Sequence, residues 1–328
     1  MKFVIDMMGG DNGVKSTIPA VKQFLENHDD VDFICVGDPA LLSELKDNKH
    51  VKIIESKTVL TMDVDPMSAI NDKDSSLAIA IANYKTEQAN ALITAGSTGA
   101  LVTFGVFKIK RLEGVRHPGF ISPIPTMIKG KQMVACDLGA NIANTKEDLL
   151  NYAVMGSLYY KISFKKENPN VFLLNNGTEE EKGNELTKET YQLLKASKQI
   201  KFCGNIEARD PLKGECDVLI MDGFSGNIYL KSTEGALKVM SSLLKKAFKK
   251  NIFTKIGYLF ARKGVKDISD TMDYKAVGGA CLLGVDGLLL KAHGNSDPRA
   301  LIGCFNQAYT LAKEDMINKI KATINGKN

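Results

Sequence analysis

No run in this chain approaches ~18 apolar residues, so no segment of it reads as a membrane span. Its opening, MKFVIDMMGGD, meets Asp6 too early to hold the apolar core of a signal peptide. Six cysteines, Cys35, Cys136, Cys203, Cys216, Cys281 and Cys304, are scattered without a C-x-x-C pair, which points to reduced thiols in a cytosolic protein. Four histidines, His28, His50, His117 and His293, lie far apart among unlike neighbours, and a histidine-based metal site therefore lacks support. Asp63 and Asp65 in MDVDP can hold magnesium in principle, but such a pair is more often a solvated turn, and no metal is expected. A formal charge of +5 over 328 residues is too small for a dedicated nucleic-acid binder, while an acidic partner or an anionic surface stays open.

The common catalytic templates are missing as well. The chain contains no G-x-G-x-x-G, no G-x-x-x-x-G-K-[ST], no G-x-S-x-G and no H-E-x-x-H. Nicotinamide, nucleoside triphosphate, serine-hydrolase and zinc-protease readings lose their main support, and no cofactor is implied.

What the chain does have is a recurring unit. KFVID precedes MGGDNG, DFICVG precedes DPALLSEL, ALITA precedes GSTGAL, MVACD precedes LGAN, VFLL precedes NNGTEEEKGN, and VLIM precedes DGFSGN. Short apolar runs that end in small polar residues and lead into helical periodicity predict strands alternating with helices in a mostly parallel sheet, covered on both faces. Ligands of such sheets bind outside the strands' carboxyl ends, where these turns are expected to converge. The content of 44% hydrophobic residues supports a substantial core, and no repeat or linker marks a boundary, so one domain over 1–328 is expected. The segment HPGFISPIPTMIKGKQM carries three prolines and reads as a loop or irregular edge that covers the crevice and leads into a hairpin turn at Lys129 to Lys131.

Residues 236–266 read differently. Leu237, Met240, Leu244, Ala247 and Phe248 recur at helical spacing, as do Phe253, Ile256, Leu259 and Phe260, with Lys238, Lys245, Lys249, Lys250 and Arg262 between them. This predicts an amphipathic helical hairpin, which packs on the core or a second subunit, or touches anionic lipid.

The glycine-rich turns are the candidate site. Exposed backbone N–H groups at a strand-to-helix turn suit a bound anion, and small side chains add hydroxyl and amide donors without bulk. Ser97, Thr98, Asn141, Asn175, Thr178, Ser225 and Asn227 supply such groups, each of which can equally cap its own helix. Asp6, Gly9, Gly10, Asp11, Gly99, Gly177, Gly183 and Gly226 complete the phosphate-contact candidates from the same turns. In NNGTEEEKGNE, Asn184 is placed to cap a helix, Glu179 to Glu181 to point into solvent, and Lys182 to reach an anion held by the turn amides.

IDMMGGD, KDSSLAIAI, AGSTGAL, DLGAN, NNGTEEEKGNELTKE, GNIEARD, DGFSGNIYLK, GGACLLGVDG and KAHGNSD, in this order, resemble the phosphate acyltransferase family of bacterial phospholipid synthesis over residues 1 to about 312. The resemblance implies a homodimeric three-layer α/β/α fold like that of phosphotransacetylases and of isocitrate and isopropylmalate dehydrogenases. It also implies transfer of a fatty acyl group from acyl carrier protein to inorganic phosphate, giving acyl phosphate, by a cytoplasmic protein peripherally attached to the membrane. The chain departs from the family pattern at Met7, at Ser97 and in lacking an arginine shortly before KDSS. On this reading Lys182 and the amides around Gly177 and Thr178 bind phosphate, Asn227 faces the thioester oxygen, and His293 protonates the departing thiolate or orients phosphate. Two alternatives remain: a phosphotransacetylase acting on acyl coenzyme A, and a non-catalytic lipid-surface or partner-binding protein on the same scaffold.

Overall fold

The computed structural model describes residues 1–271 and 278–326. Strands β1 (Lys2–Asp6), β2 (Asp32–Gly37), β3 (Val51–Glu55), β4 (Ala91–Thr94), β5 (Gly119–Pro125), β6 (Gln132–Cys136), β7 (Asn170–Asn175), β8 (Lys201–Glu207), β9 (Val218–Ile220), β10 (Ala280–Leu283) and β11 (Leu289–Lys291) form one sheet. Its order is β3-β2-β1-β4-β11-β10-β5-β6-β9-β7-β8. Helices α1 (Val14–Leu25), α2 (Pro66–Ala69), α3 (Ser76–Thr86), α4 (Thr98–Phe104), α5 (Lys146–Phe164), α6 (Glu185–Ala196), α7 (Gly223–Lys249), α8 (Ile252–Thr271), α9 (Pro298–Lys313) and α10 (Met316–Ile324) complete the chain.

Alternation along the strands builds two cores. Phe3 and Ile5 of β1 face a cluster with Phe24 of α1, Tyr152 of α5 and Phe305 of α9, while Val4 faces Leu77 of α3, Leu101 of α4 and Tyr229 of α7. Helices thus lie on both faces of the sheet, the expected three-layer α/β/α arrangement. All six apolar runs singled out in the sequence are strands.

The proline-rich segment differs from expectation: it is a strand inside the sheet, not an edge or loop. β5 pairs antiparallel with β10 through Gly119 to Ile121 and with β6 through Ser122 to Pro125, and the turn to β6 follows. Thr126 N–H donates toward the β6 side, to Lys131, so by two-residue alternation Pro123 and Pro125 point their nitrogens the other way, past the last residue paired with β10. No ladder bond is lost, which is why prolines are tolerated there.

This strand and β10 reverse the sheet's polarity. The pairings of β5 with β6, β5 with β10 and β10 with β11 are antiparallel, and the others are parallel. Consequently the carboxyl ends of β1, β4 and β11 lie at one edge of the strands, and those of β6, β9 and β7 at the opposite edge.

The helical hairpin is present but longer than 236–266. DGFSGN, read as a turn, is the first turn of α7, with Asp222 as the cap accepting from Ser225 N–H at 2.9 Å. α7 runs back along the sheet from one strand edge to the other and continues outward, and α8 returns beside it. Val239, Met240, Leu243, Phe253, Leu259 and Phe260 are exposed, and α8 buries no residue. No helix among the described residues is long and apolar enough to cross a membrane.

Candidate active site

At the first edge, the turns after β1, β4 and β11 interlock. Asp6, buried, accepts from the N–H groups of Met8 (3.2 Å) and Gly9 (3.1 Å) through Oδ1 and from Thr94 Oγ1 (2.7 Å) through Oδ2. Thr94 Oγ1 accepts in turn from Gly96 N–H at 2.8 Å. Asp11 N–H donates to Gly294 O at 2.7 Å, which joins the turn after β1 to that after β11. Gly9 and Gly10 allow this approach: a side chain on Gly9 would overlap Asp6, and Gly10 has φ +84° with Gly294 O at 2.7 Å from any Cβ. Ser97 caps α4, Thr98 follows exposed, and Gly99 packs on Pro66. Asp6, Gly9, Gly10, Asp11 and Ser97 are therefore together, with Asp6 shaping the turn rather than offering a free acceptor.

Two cations and an acid near these turns escaped the sequence reading. Lys291 is buried, and its Nζ donates to the carbonyls of Ala95 (3.3 Å) and Ala292. Burial pushes its ammonium down to about 8, against the opposing pull of groups that include Asp6 and Asp11. His293 follows, two residues on. Burial lowers its ring below the ordinary histidine range, and Glu234 of α7, with Oε1 at 3.5 Å from Nε2, pulls it back up. Lys231 Nζ stands 3.3 Å from Glu234 Oε2. A narrow apolar slot bounded by Ser122 to Pro125 and by Leu230, Thr233 and Leu237 opens beside His293 and Glu234. The proline segment is thus one wall of the crevice, close to the covering role expected of it.

At the opposite edge, a second knot holds the ends of β6 and β9. Asp137, buried, accepts from the N–H groups of Phe120 (2.9 Å), Gly139 (3.1 Å), Ala140 (3.0 Å) and Asn141 (3.1 Å). Burial raises its carboxyl, and these donors counter that rise. Asn141 Nδ2 faces Pro118 O at 2.7 Å, Asp137 Oδ2 at 2.9 Å and Tyr152 Oη at 3.1 Å, so its amide donors are already engaged. The first turn of α7 lies directly on this knot. A side chain on Gly223 would overlap Asn141 O, one on Gly226 would overlap Asp137 O, and Asn227 itself covers Gly139.

Along the same edge, the turn after β7 carries Lys182. Asn175 Nδ2 donates to Lys182 O at 3.1 Å, Gly183 has φ +97°, and Asn184 caps α6 by accepting from Thr187 N–H at 2.9 Å. The cap is as expected. Of the three glutamates, Glu179 and Glu181 are exposed as expected, while Glu180 turns onto α6, 2.8 Å from Lys195 Nζ and 2.7 Å from Gln192 Nε2, and that pairing holds its carboxyl below the usual range. Lys182 is exposed and forms no ion pair among the described residues.

The structure therefore brings the first-edge residues together with His293, and groups Asn141, Asn175, Gly177, Thr178, Lys182, Gly183, Asn184, Ser225, Gly226 and Asn227 at the other edge. The expected convergence of all turns does not occur within one chain. Asn227 and Glu234 are seven residues apart on α7, about 10 Å of helix rise, whereas proton transfer needs contact near 3 Å. The other histidines are structural: His28 stacks on Phe24, His50 meets Asp32 at 2.9 Å, and His117 meets Asp148 at 2.8 Å. Asp65 caps α2. Five of the six cysteines are buried, and burial pushes those thiols up, away from nucleophilic character.

This fold is that of the phosphotransacetylases. A phosphotransacetylase from Streptococcus pyogenes superposes with TM-score 0.61 at 16% identity, covering 96% of this chain and 94% of that one. A branched-chain phosphotransacylase from Enterococcus faecalis V583 gives 0.59 at 14% identity, covering 95% and 99%. The chain belongs to the phosphate acyltransferase family. A family model described as fatty acid synthesis protein matches residues 1–319. The phosphate acyltransferase of Lysinibacillus sphaericus is 39% identical over 326 residues, 99% of this chain and 98% of that one, and that of Listeria innocua is 38% identical over 326 residues, 99% and 96%.

Proposed function

We propose that this protein transfers a fatty acyl group from acyl carrier protein to inorganic phosphate. The observation that carries the reading is relatedness of nearly 40% across almost the whole length to proteins named phosphate acyltransferase. The crevice supplies suitable chemistry. A phosphate oxygen attacks the thioester carbonyl, a carbon–oxygen bond forms, the carbon–sulfur bond breaks, and the thiolate takes a proton. Phosphate is already nucleophilic near neutral pH, so the protein needs to bring two anionic reactants together and stabilise the developing oxyanion. The interlocked turns, Lys291, Lys231 and His293 place N–H groups and positive charge around one opening, and His293 supplies the proton.

Lys182 and Asn227 join this chemistry in a homodimer, where a second copy presents its β6/β9/β7 edge to the first copy's crevice. Separation of the two groups within one chain supports that arrangement. The exposed apolar residues of the hairpin, flanked by Lys238, Lys245, Lys249, Lys250 and Arg262, support attachment to an anionic membrane surface from the cytoplasm, and the same lysines suit an acidic carrier protein. The deciding experiment measures phosphate-dependent loss of thioester from long-chain acyl-acyl carrier protein beside short acyl coenzyme A. Turnover of the carrier substrate alone is expected. Preference for the coenzyme A thioester assigns a phosphotransacetylase, and no turnover of either assigns a non-catalytic scaffold.

A further inference from the structure

One acid at the crevice has no part in binding or chemistry so far. Glu234 is 7% exposed on a helix whose lysines beyond it are all exposed. Its Oε2 meets Lys231, and its Oε1, sealed from solvent, has no hydrogen-bond partner among the described residues. A buried carboxylate oxygen without a donor is costly, and it persists where a neighbouring group supplies a proton or a charge. The group it faces at 3.5 Å is His293 Nε2.

We propose that Glu234 is the positioning residue of His293, its buried carboxylate holding the imidazole at the crevice and favouring the protonated ring. The inference rests on the reaction proposed above. Three ammonium groups act on the same ring and oppose protonation: Lys231 and Lys238 from α7 and Lys291 from β11. Desolvation acts in the same direction. Among the described residues Glu234 is the carboxylate set against these effects, so its removal lowers further the fraction of His293 that carries a proton to give to a departing thiolate. α7 carries this carboxylate from one strand edge to the other, and β11 delivers the histidine two residues past its end.

Proton NMR titration of the full chain reads the pairing directly, because only four histidines contribute and His293→Gln identifies the signal. Glu234→Gln, close to isosteric, is expected to lower the His293 midpoint by about one pH unit while His28, His50 and His117 hold theirs. Glu234→Asp restores part of the shift. Lys231→Met moves the midpoint upward, an independent check should Glu234→Gln fold poorly. In turnover assays Glu234→Gln lowers kcat, leaves the phosphate KM within about twofold, and moves the pH–kcat profile in the direction of the NMR midpoint. A His293 midpoint unchanged in Glu234→Gln, or lowered in Lys231→Met, overturns the pairing. A shifted midpoint with an unshifted kcat profile upholds the pairing and removes His293 from the acid role, so the two readings fail separately.

Discussion

Thr94 Oγ1 donates to Asp6 Oδ2 at 2.7 Å, a hydroxyl and a carboxylate from neighbouring parallel strands joined where both strands end. Through Gly96 N–H on one side and Met8 and Gly9 N–H on the other, this one bond links the two turns that line the crevice. The polar residues of the turns thereby hold the backbone in shape, and the groups left to meet an anion are N–H groups and the nearby cations. That division of labour separates residues whose loss unfolds the turn from residues whose loss empties the site.

Gly226 belongs to the first kind. A methyl at this position meets the Asp137 carbonyl oxygen, which is backbone and cannot swing away. Gly226→Ala is expected to destabilise the protein by about 1–3 kcal/mol, seen as a lower urea midpoint at unchanged slope. A midpoint equal to the parent's contradicts the close contact between α7 and the turn after β6.

Lys291 gives a pH-dependent signature. Its folded-state value of about 8 lies below the ~10.4 of an unfolded lysine, so between these limits the unfolded chain binds the extra proton and stability rises with pH. Below about 8 both states are charged and the contribution is flat. The stability difference between parent and Lys291→Met is expected to climb with pH above about 8, at up to ~1.4 kcal/mol per unit. A difference that stays level from pH 7 to 10 places the ammonium in a solvated setting instead.

Lys182 and His293 test the two-copy arrangement. Lys182→Met and His293→Ala are each expected to lose most turnover while remaining folded. Mixing the two variants after reversible dissociation then recovers activity that neither shows alone, because a mixed dimer retains one site with both residues intact. Full turnover by Lys182→Met, or a mixture as inactive as its components, rules out that assembly of the site.

The hairpin is open to a lipid test. Phe253 and Leu259 are exposed on α8, and changing both to Glu removes apolar area while adding negative charge. Flotation with anionic vesicles is expected to fall steeply for the double variant, with thioester turnover in solution largely retained. Flotation equal to the parent's locates the anchor elsewhere.

Much of this architecture was legible from local pattern. Apolar runs such as DFICVG and MVACD announce strands because β-branched and aromatic side chains alternate toward two cores, and Asn184 announces a helix start by its capping chemistry. The HPGFISPIP strand was hidden because its prolines are harmless only where a neighbouring ladder ends, a fact of tertiary register. The same register, through antiparallel β5 and β10, sends half of the glycine turns to the far edge of the sheet. No local signal records that reversal. Glu234 and Lys291 were also hidden: in KSTEGALK and KAHG each reads as one more polar residue, and only packing shows them buried.

α7 is a single helix from its foot at Gly223 to its tip at Lys249. Its foot is clamped where no Cβ fits, Glu234 rides about 16 Å along it, and Phe248 about 38 Å along. Any tilt about the clamp therefore sweeps the tip a little over twice as far as the carboxylate. The helix acts as a lever with unequal arms, and whatever grips its free end is geared, at reduced travel, to the acid beside the imidazole.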